Sequence, residues 1–207
     1  MSGDWTVPTV NCASGQTLYS VAWVGIDGDS DSSPTVEQDG TASDCAGSVA
    51  SYYAWYELYA QSGSPLNGGA EVELPNPVAA GDLMSASVSV VSGAWTLYID
   101  DSTKGWTSTT HASWSAPVES SAEWIVERPE VCNGSGQDCS LTSLADFGTV
   151  SFTRAIATES GTSGSISDFS ASSIEMLSNS GSTALAIPGP LDSTGEDFED
   201  DWEATGP

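Results

Sequence analysis

Apolar residues in this chain recur at every second position in short runs, and Gly, Ser, Asp or Pro breaks each run. Side chains of an extended strand point alternately to opposite faces, so a run of this kind buries one face and leaves the other wet. Leu18 to Asp27 runs into an Asp-Gly turn, and Ser51 to Tyr59 is crowded with aromatics. Asp82 to Val91 and Ala94 to Asp100 are separated by Ser92-Gly93, the signature of a hairpin. Ala122 to Glu127, Gly148 to Ala155 and Ser173 to Leu177 extend the series. Phe198, Asp200 and Trp202 share one face of an acidic C-terminal segment, which predicts a last edge strand guarded by its charges. No stretch carries the 3.6-residue periodicity of a long helix. The predicted fold is all-β, an antiparallel β-sandwich or jelly roll in which residues 1–207 form a single domain.

The charge balance removes several classes of function. Twenty-nine acidic residues face three basic ones, Lys104, Arg128 and Arg154, for a net charge of -26. Nucleic acid is excluded as a partner because phosphates need clustered cations, and an anionic membrane surface is disfavoured for the same reason. Self-repulsion of this size strains the fold at neutral pH, and acid or high salt relieves it, so the composition fits an acid-adapted or halophilic protein. No segment reaches the length of a transmembrane helix, and no signal peptide opens the chain.

Four cysteines allow three pairings. Cys132 and Cys139 bracket a turn-rich hexapeptide that suits a short disulfide loop, which leaves Cys12 with Cys45. Paired cysteines point to an oxidising, secreted setting. With no Cys-x-x-Cys pair and one histidine, His111, in a Ser/Thr-rich stretch that reads as loop, neither a metal site nor a serine-type triad is expected. Asn133-Gly134-Ser135 is a glycosylation triplet.

The strand Glu123-Trp124-Ile125-Val126-Glu127 places two carboxylates and an isoleucine on one face. That pattern suits either a solvated outer face or the lining of a cleft, where partial burial raises a carboxyl pKa and equips it for proton transfer. In a regular strand Glu123 and Glu127 stand about 13 Å apart, too far for the roughly 5–9.5 Å carboxylate pairs of glycosidases. The aromatics Trp23, Tyr52, Tyr53, Trp55, Tyr56 and Tyr59 divide by alternation between core and cleft.

Four segments, in this order, carry a resemblance: Trp23-Val24-Gly25-Ile26-Asp27-Gly28, Val36-Glu37-Gln38, Tyr52-Tyr53-Ala54-Trp55-Tyr56-Glu57 and Ala122 to Glu127. Together they resemble the glutamic peptidases, the eqolisins of the scytalidopepsin and aspergilloglutamic type, with a start and a Phe147-Gly148-Thr149-Val150 segment like the prokaryotic branch. The resemblance implies a concanavalin-like sandwich of two large sheets, one bent into a substrate cleft. It implies a pepstatin-insensitive acid endopeptidase, a secreted monomer acting on polypeptides without a cofactor. It matches Gln38 and Glu127 to the catalytic pair, and Trp23, Asp27, Tyr53, Glu57 and Glu123 to substrate-binding or supporting positions. It also implies a further N-terminal strand with an Asn-Trp pair, which nothing before Trp5 supplies; an inactive relative is the alternative that follows. A carbohydrate-binding or carbohydrate-cleaving sandwich using Trp95, Trp106 or Trp114 as platforms is the other.

Overall fold

The computed structural model describes residues 1–12, 16–29, 33–60, 63–132 and 139–206. The glycosylation triplet at 133–135 lies outside the described residues. Two antiparallel sheets pack face to face. The larger has nine strands, in the order β15 (Met176–Leu177), β16 (Ala184–Pro188), β17 (Phe198–Trp202), β13 (Thr149–Glu159), β1 (Ser2–Thr6), β7 (Leu83–Val91), β8 (Ala94–Asp101) and β9 (Trp106–Ser113), with β14 (Thr162–Ser165) paired to β13. The smaller has six, in the order β10 (Ala122–Glu127), β3 (Val21–Ile26), β4 (Thr35–Ala46), β5 (Val49–Ala60) and β6 (Val72–Pro77), with β2 (Thr17–Leu18) on β4. A two-stranded ribbon joins β11 (Glu130–Val131) to β12 (Ser140–Leu141). The all-β sandwich expected from the alternation is the fold observed.

The core lies between the sheets. From the smaller sheet Ala22, Val24, Ala54 and Val126 meet Trp5, Met84, Ala86, Ile99, Val150 and Phe152 of the larger. Phe198 of β17 stacks on Phe152 with ring centroids 5.3 Å apart. Leu58, Val88, Trp95, Leu97 and Trp114 form a second apolar cluster. Both disulfides expected from the cysteine spacing are present, Cys12–Cys45 and Cys132–Cys139.

Several expectations are corrected here. Phe198–Trp202 is a strand but not an edge: it pairs with β13 on one side, and β16 and β15 add beyond it on the other, while Phe198 and buried Asp200 face the interior. His111 lies in β9, and its ring is within hydrogen-bonding distance of the Thr96 hydroxyl. The Ser/Thr composition reflects an edge strand with one exposed face, not a loop. Of the segment 173–177, only Met176–Leu177 pairs. Trp95 and Trp114 are 1% and 8% exposed, so neither can act as a sugar platform.

Candidate active site

Register puts the candidate residues on one surface. Across the smaller sheet Glu123 pairs with Gly25, Gly25 with Gln38 and Gln38 with Glu57. Two residues along, Ile125 pairs with Trp23, Trp23 with Gly40 and Gly40 with Trp55. Two further along, Glu127 pairs with Val21, Val21 with Ala42 and Ala42 with Tyr53. Directly paired residues share a face, and so do residues two apart. Gln38, Glu57, Glu123, Glu127, Trp23 and Tyr53 therefore all project from the side of the sheet turned away from the core. Val21, Trp23, Ala42 and Trp55 pack together as the floor of this surface, with Val36, Tyr53 and Ile125 around them. The aromatics divide as alternation requires: Trp23, Tyr53 and Trp55 belong to this floor, and Tyr52 and Tyr56 pack against the core.

Two glycines make room for the indole of Trp23. A Cβ on Gly40 would stand 2.4 Å from the Ala22 carbonyl oxygen and 2.6 Å from the Trp23 Cβ, and one on Gly25 would stand 2.8 Å from the Trp23 ring. With both absent, Trp23 reaches across the sheet and its Nε1 donates to Glu127 Oε1 at 3.1 Å. The Gln38 amide donates from Nε2 to Glu57 Oε2 at 2.6 Å. Gln38 is 6% exposed, and its Oε1 has no hydrogen-bond partner among the described residues.

The electrostatics are those of carboxyls packed closely and partly dry. Burial pushes Glu127 up to about 7, against the pull of the Trp23 N–H, and the Glu123 charge adds to the rise. Burial likewise pushes Glu57 up to about 7, opposed by the Gln38 amide and reinforced by the charges of Glu71 and Glu127. Glu123 rises to about 7, again through burial first, although the Ser121 hydroxyl donates to it at 2.7 Å. Glu57 thus hydrogen-bonds Gln38 and feels the charge of Glu127, which links the two halves of the site. Tyr53 is shared between Asp44 and Glu71, and burial with those charges drives its hydroxyl well above the ordinary phenol range.

Asp27 has another part. It is completely buried, and its carboxylate accepts from the backbone N–H groups of Val118, Glu119 and Ser120 at 2.7–3.0 Å and from the Ser120 hydroxyl. Burial pushes its pKa up, but these donors outweigh it and hold Asp27 below the usual carboxylate range. Asp27 fastens the loop that leads into β10, so it positions the strand carrying Glu127. Arg128 points the other way. It is buried and donates to the carbonyls of Thr142 and Leu177 and to Asn179 Oδ1, clipping the end of β10 to the larger sheet's flank. Asp44 and Glu71, the partners of Tyr53, carry no periodic or motif signal that marks their role in the sequence.

A model of the peptidase A4 family matches residues 1–188. The chain belongs to the peptidase A4 family. Aspergillopepsin-2 of Aspergillus niger is 31% identical over 201 residues, covering 84% of this chain and 65% of that protein. Scytalidopepsin B of Scytalidium lignicola is 29% identical over 189 residues, covering 89% of this chain and 68% of that protein. The chain thus spans about two-thirds of the length of these curated relatives. Among solved structures, aspergilloglutamic peptidase from Aspergillus niger superposes with a TM-score of 0.71 at 28% identity, covering 90% of this chain and 99% of that one. Scytalido-glutamic peptidase, solved with a peptide-based transition-state analogue, superposes with a TM-score of 0.77 at 24% identity over 98% of this chain and 91% of that one, which shows a shared fold. The family indicated by the four sequence segments is the family found.

One substitution tests the wiring of the site. Trp23→Phe keeps the aromatic floor and deletes the N–H that stabilises ionised Glu127. The Glu127 pKa is expected to rise further, by up to about one unit for a lost charge-assisted hydrogen bond. An upward move of the acid limb of the pH profile of kcat/KM, with the melting temperature held near the parent's, is the expected reading. An unmoved limb would separate Trp23 from Glu127.

Proposed function

We propose that this chain is an endopeptidase in which Glu127 and Gln38 activate a water against a peptide carbonyl. The observation that carries the reading is that both side chains project from one sheet face, with Glu57 hydrogen-bonded to Gln38 and within electrostatic reach of Glu127. Ionised Glu127 takes a proton from the water, and the resulting hydroxide attacks the scissile carbonyl. Gln38 has two amide hydrogens. One is engaged by Glu57, which fixes the side-chain orientation, and the other donates to the oxyanion as it forms. The unpartnered Oε1 accepts from the water. Protonated Glu127 then gives its proton to the departing nitrogen, and the carboxylate is restored. Val21, Trp23, Trp55 and Tyr53 give an extended substrate an apolar floor, and Glu123 lines the cleft beside them. The chemistry needs no cofactor and the substrate is polypeptide.

The pH range follows from Glu127. Only the ionised form is a base, so activity climbs as pH rises toward its pKa. Burial, by raising that pKa to about 7, moves the working range from strong acid toward weak acid. The two disulfides support a secreted enzyme, which we take to act as a monomer. Incubation with a denatured protein substrate between pH 3 and 8 tests the reading. Cleavage that climbs through weak acid toward pH 7 and resists both pepstatin and chelators is expected. A folded chain inert across that range would make it a non-catalytic relative, and retention on a polysaccharide column without proteolysis would move it to the carbohydrate class.

A further inference from the structure

Glu37 and Asp39 flank Gln38 in the sequence and, by strand alternation, point the opposite way, into the sandwich. They are 0% and 1% exposed; among the described residues the Asp39 carboxyl has no hydrogen-bond partner, and Glu37 has only the Thr35 side chain to donate to it. An isolated carboxylate is not accommodated in such a place; it keeps its proton instead. Glu37 stands in the cross-strand row between Ile26 and Leu58. From its own strand the Thr35 side chain faces it, from the turn after β3 Asp27, and from the loop before β10 Glu119, so two of these neighbours bring like charge. Asp39 stands between Val24 and Tyr56, and the charge facing it is the α-ammonium of Met1, whose own pKa burial lowers.

We propose that protonated Glu37 and Asp39 form an acid lock: the two inward carboxyls let β4 lie in the core only while neutral, and their ionisation as pH rises expels β4 and dismantles the site on its outer face. The lock joins both halves of that site. β4 carries Gln38 on its outer side, and Asp27, the charged neighbour of Glu37, holds the loop that leads to Glu127. The inference concerns folding and stands whether or not Glu127 is catalytic.

The sign is fixed by burial. Desolvation raises Glu37 from 4.5 to about 8, and Asp39 rises well above its ordinary range for the same reason. A carboxyl whose pKa is higher in the folded state gives its full stabilisation below the unfolded pKa and loses it progressively up to the folded one. Stability therefore falls from about pH 4.5 through pH 8. The experiment is an alkaline unfolding titration followed by far-UV circular dichroism and tryptophan fluorescence in 3 M KCl, where surface repulsion is screened. Glu37→Gln and Asp39→Asn keep shape and remove the titration. Each is expected to raise the unfolding midpoint by about one pH unit, and the pair by more. The exposed substitution Glu130→Gln should leave it in place. Coincident midpoints for parent and double variant would overturn the proposal. If the variants do not fold, urea unfolding in the same salt of a chain with the other raised carboxyls made amides (Asp44→Asn, Glu57→Gln, Glu123→Gln, Glu127→Gln, Asp200→Asn) decides: a midpoint concentration that still declines from pH 5 to pH 9 supports the lock, and a constant one overturns it.

Discussion

Replacing Glu127 by Gln is expected to lower kcat/KM for a fluorogenic peptide by about 10³- to 10⁴-fold. A single group that acts first as base and then as acid contributes at the upper end of the 10²–10⁴ range for positioned proton transfer. The isosteric amide keeps an oxygen for the Trp23 Nε1, so the strand and the floor of the cleft survive the change. Gln38→Ala is expected to cost about 10²- to 10³-fold, the usual loss when one oxyanion donor is deleted. It has a second signature. The Gln38 amide pulls the Glu57 pKa down against burial, so its removal leaves Glu57 more readily protonated and deprives the water of an acceptor. Because the two side chains act on one water, the double variant should be little worse than Glu127→Gln alone. Each variant must be assayed beside its melting curve. A folded Glu127→Gln protein with more than a tenth of the parent's kcat/KM would remove Glu127 from the mechanism.

The two halves of this pair are not equally visible in the sequence. Glu127 ends Ala122 to Glu127, whose alternation is clean and whose pairing to β3 runs without a register shift. The spacing of carboxylates on that strand is enough by itself to raise the prospect of a cleft. Gln38 has no such signal. It sits in β4, where the inward positions are Glu37, Asp39, Thr41 and Ser43, all buried. Period-two reading depends on apolar residues facing inward, so a central strand with polar inward residues resembles a turn-rich loop, and the Asp39-Gly40 pair strengthens the illusion. Only family resemblance locates Gln38. β9 is hidden for the opposite reason: at the sheet edge its exposed face asks nothing apolar of Thr107, Thr109 or His111. The hairpin of β7 and β8 is legible because turn chemistry and alternation agree there. Composition also misleads about Trp95 and Trp114. Tryptophan serves core and sugar platform alike, and only the opposing sheet, not the local sequence, determines that these two are enclosed.

Raising the salt concentration from 0.1 M to 3 M KCl at pH 7 is expected to raise the melting temperature by about 10 °C or more. The charge is -26, and screening shortens the range of its self-repulsion from about 10 Å to below about 3 Å. Screening weakens attractions too, but few are at risk. Among the described residues the salt bridges are Lys104–Asp82 and Arg154–Asp4, and the second is largely exposed, where such a pair contributes little. Relief of about 3–5 kcal/mol corresponds to about 10 °C in a chain of this size, at roughly 2–4 °C per kcal/mol. A second arm separates screening from the general strengthening of apolar burial by salt. At pH 4 many surface carboxylates are neutral and the repulsion is already reduced, so the same salt step should raise the melting temperature by much less than at pH 7. Equal increments at the two pH values would assign the effect to burial, and a shift below about 2 °C at pH 7 would mean that the acidic surface places no measurable strain on the fold. Salt cannot reach Glu37 and Asp39, which lie away from solvent. The protein at pH 9 should therefore remain weaker than at pH 5 even in 3 M KCl, and the part of that residual difference that disappears when Glu37→Gln and Asp39→Asn are combined is the cost of the two protons held beneath Gln38.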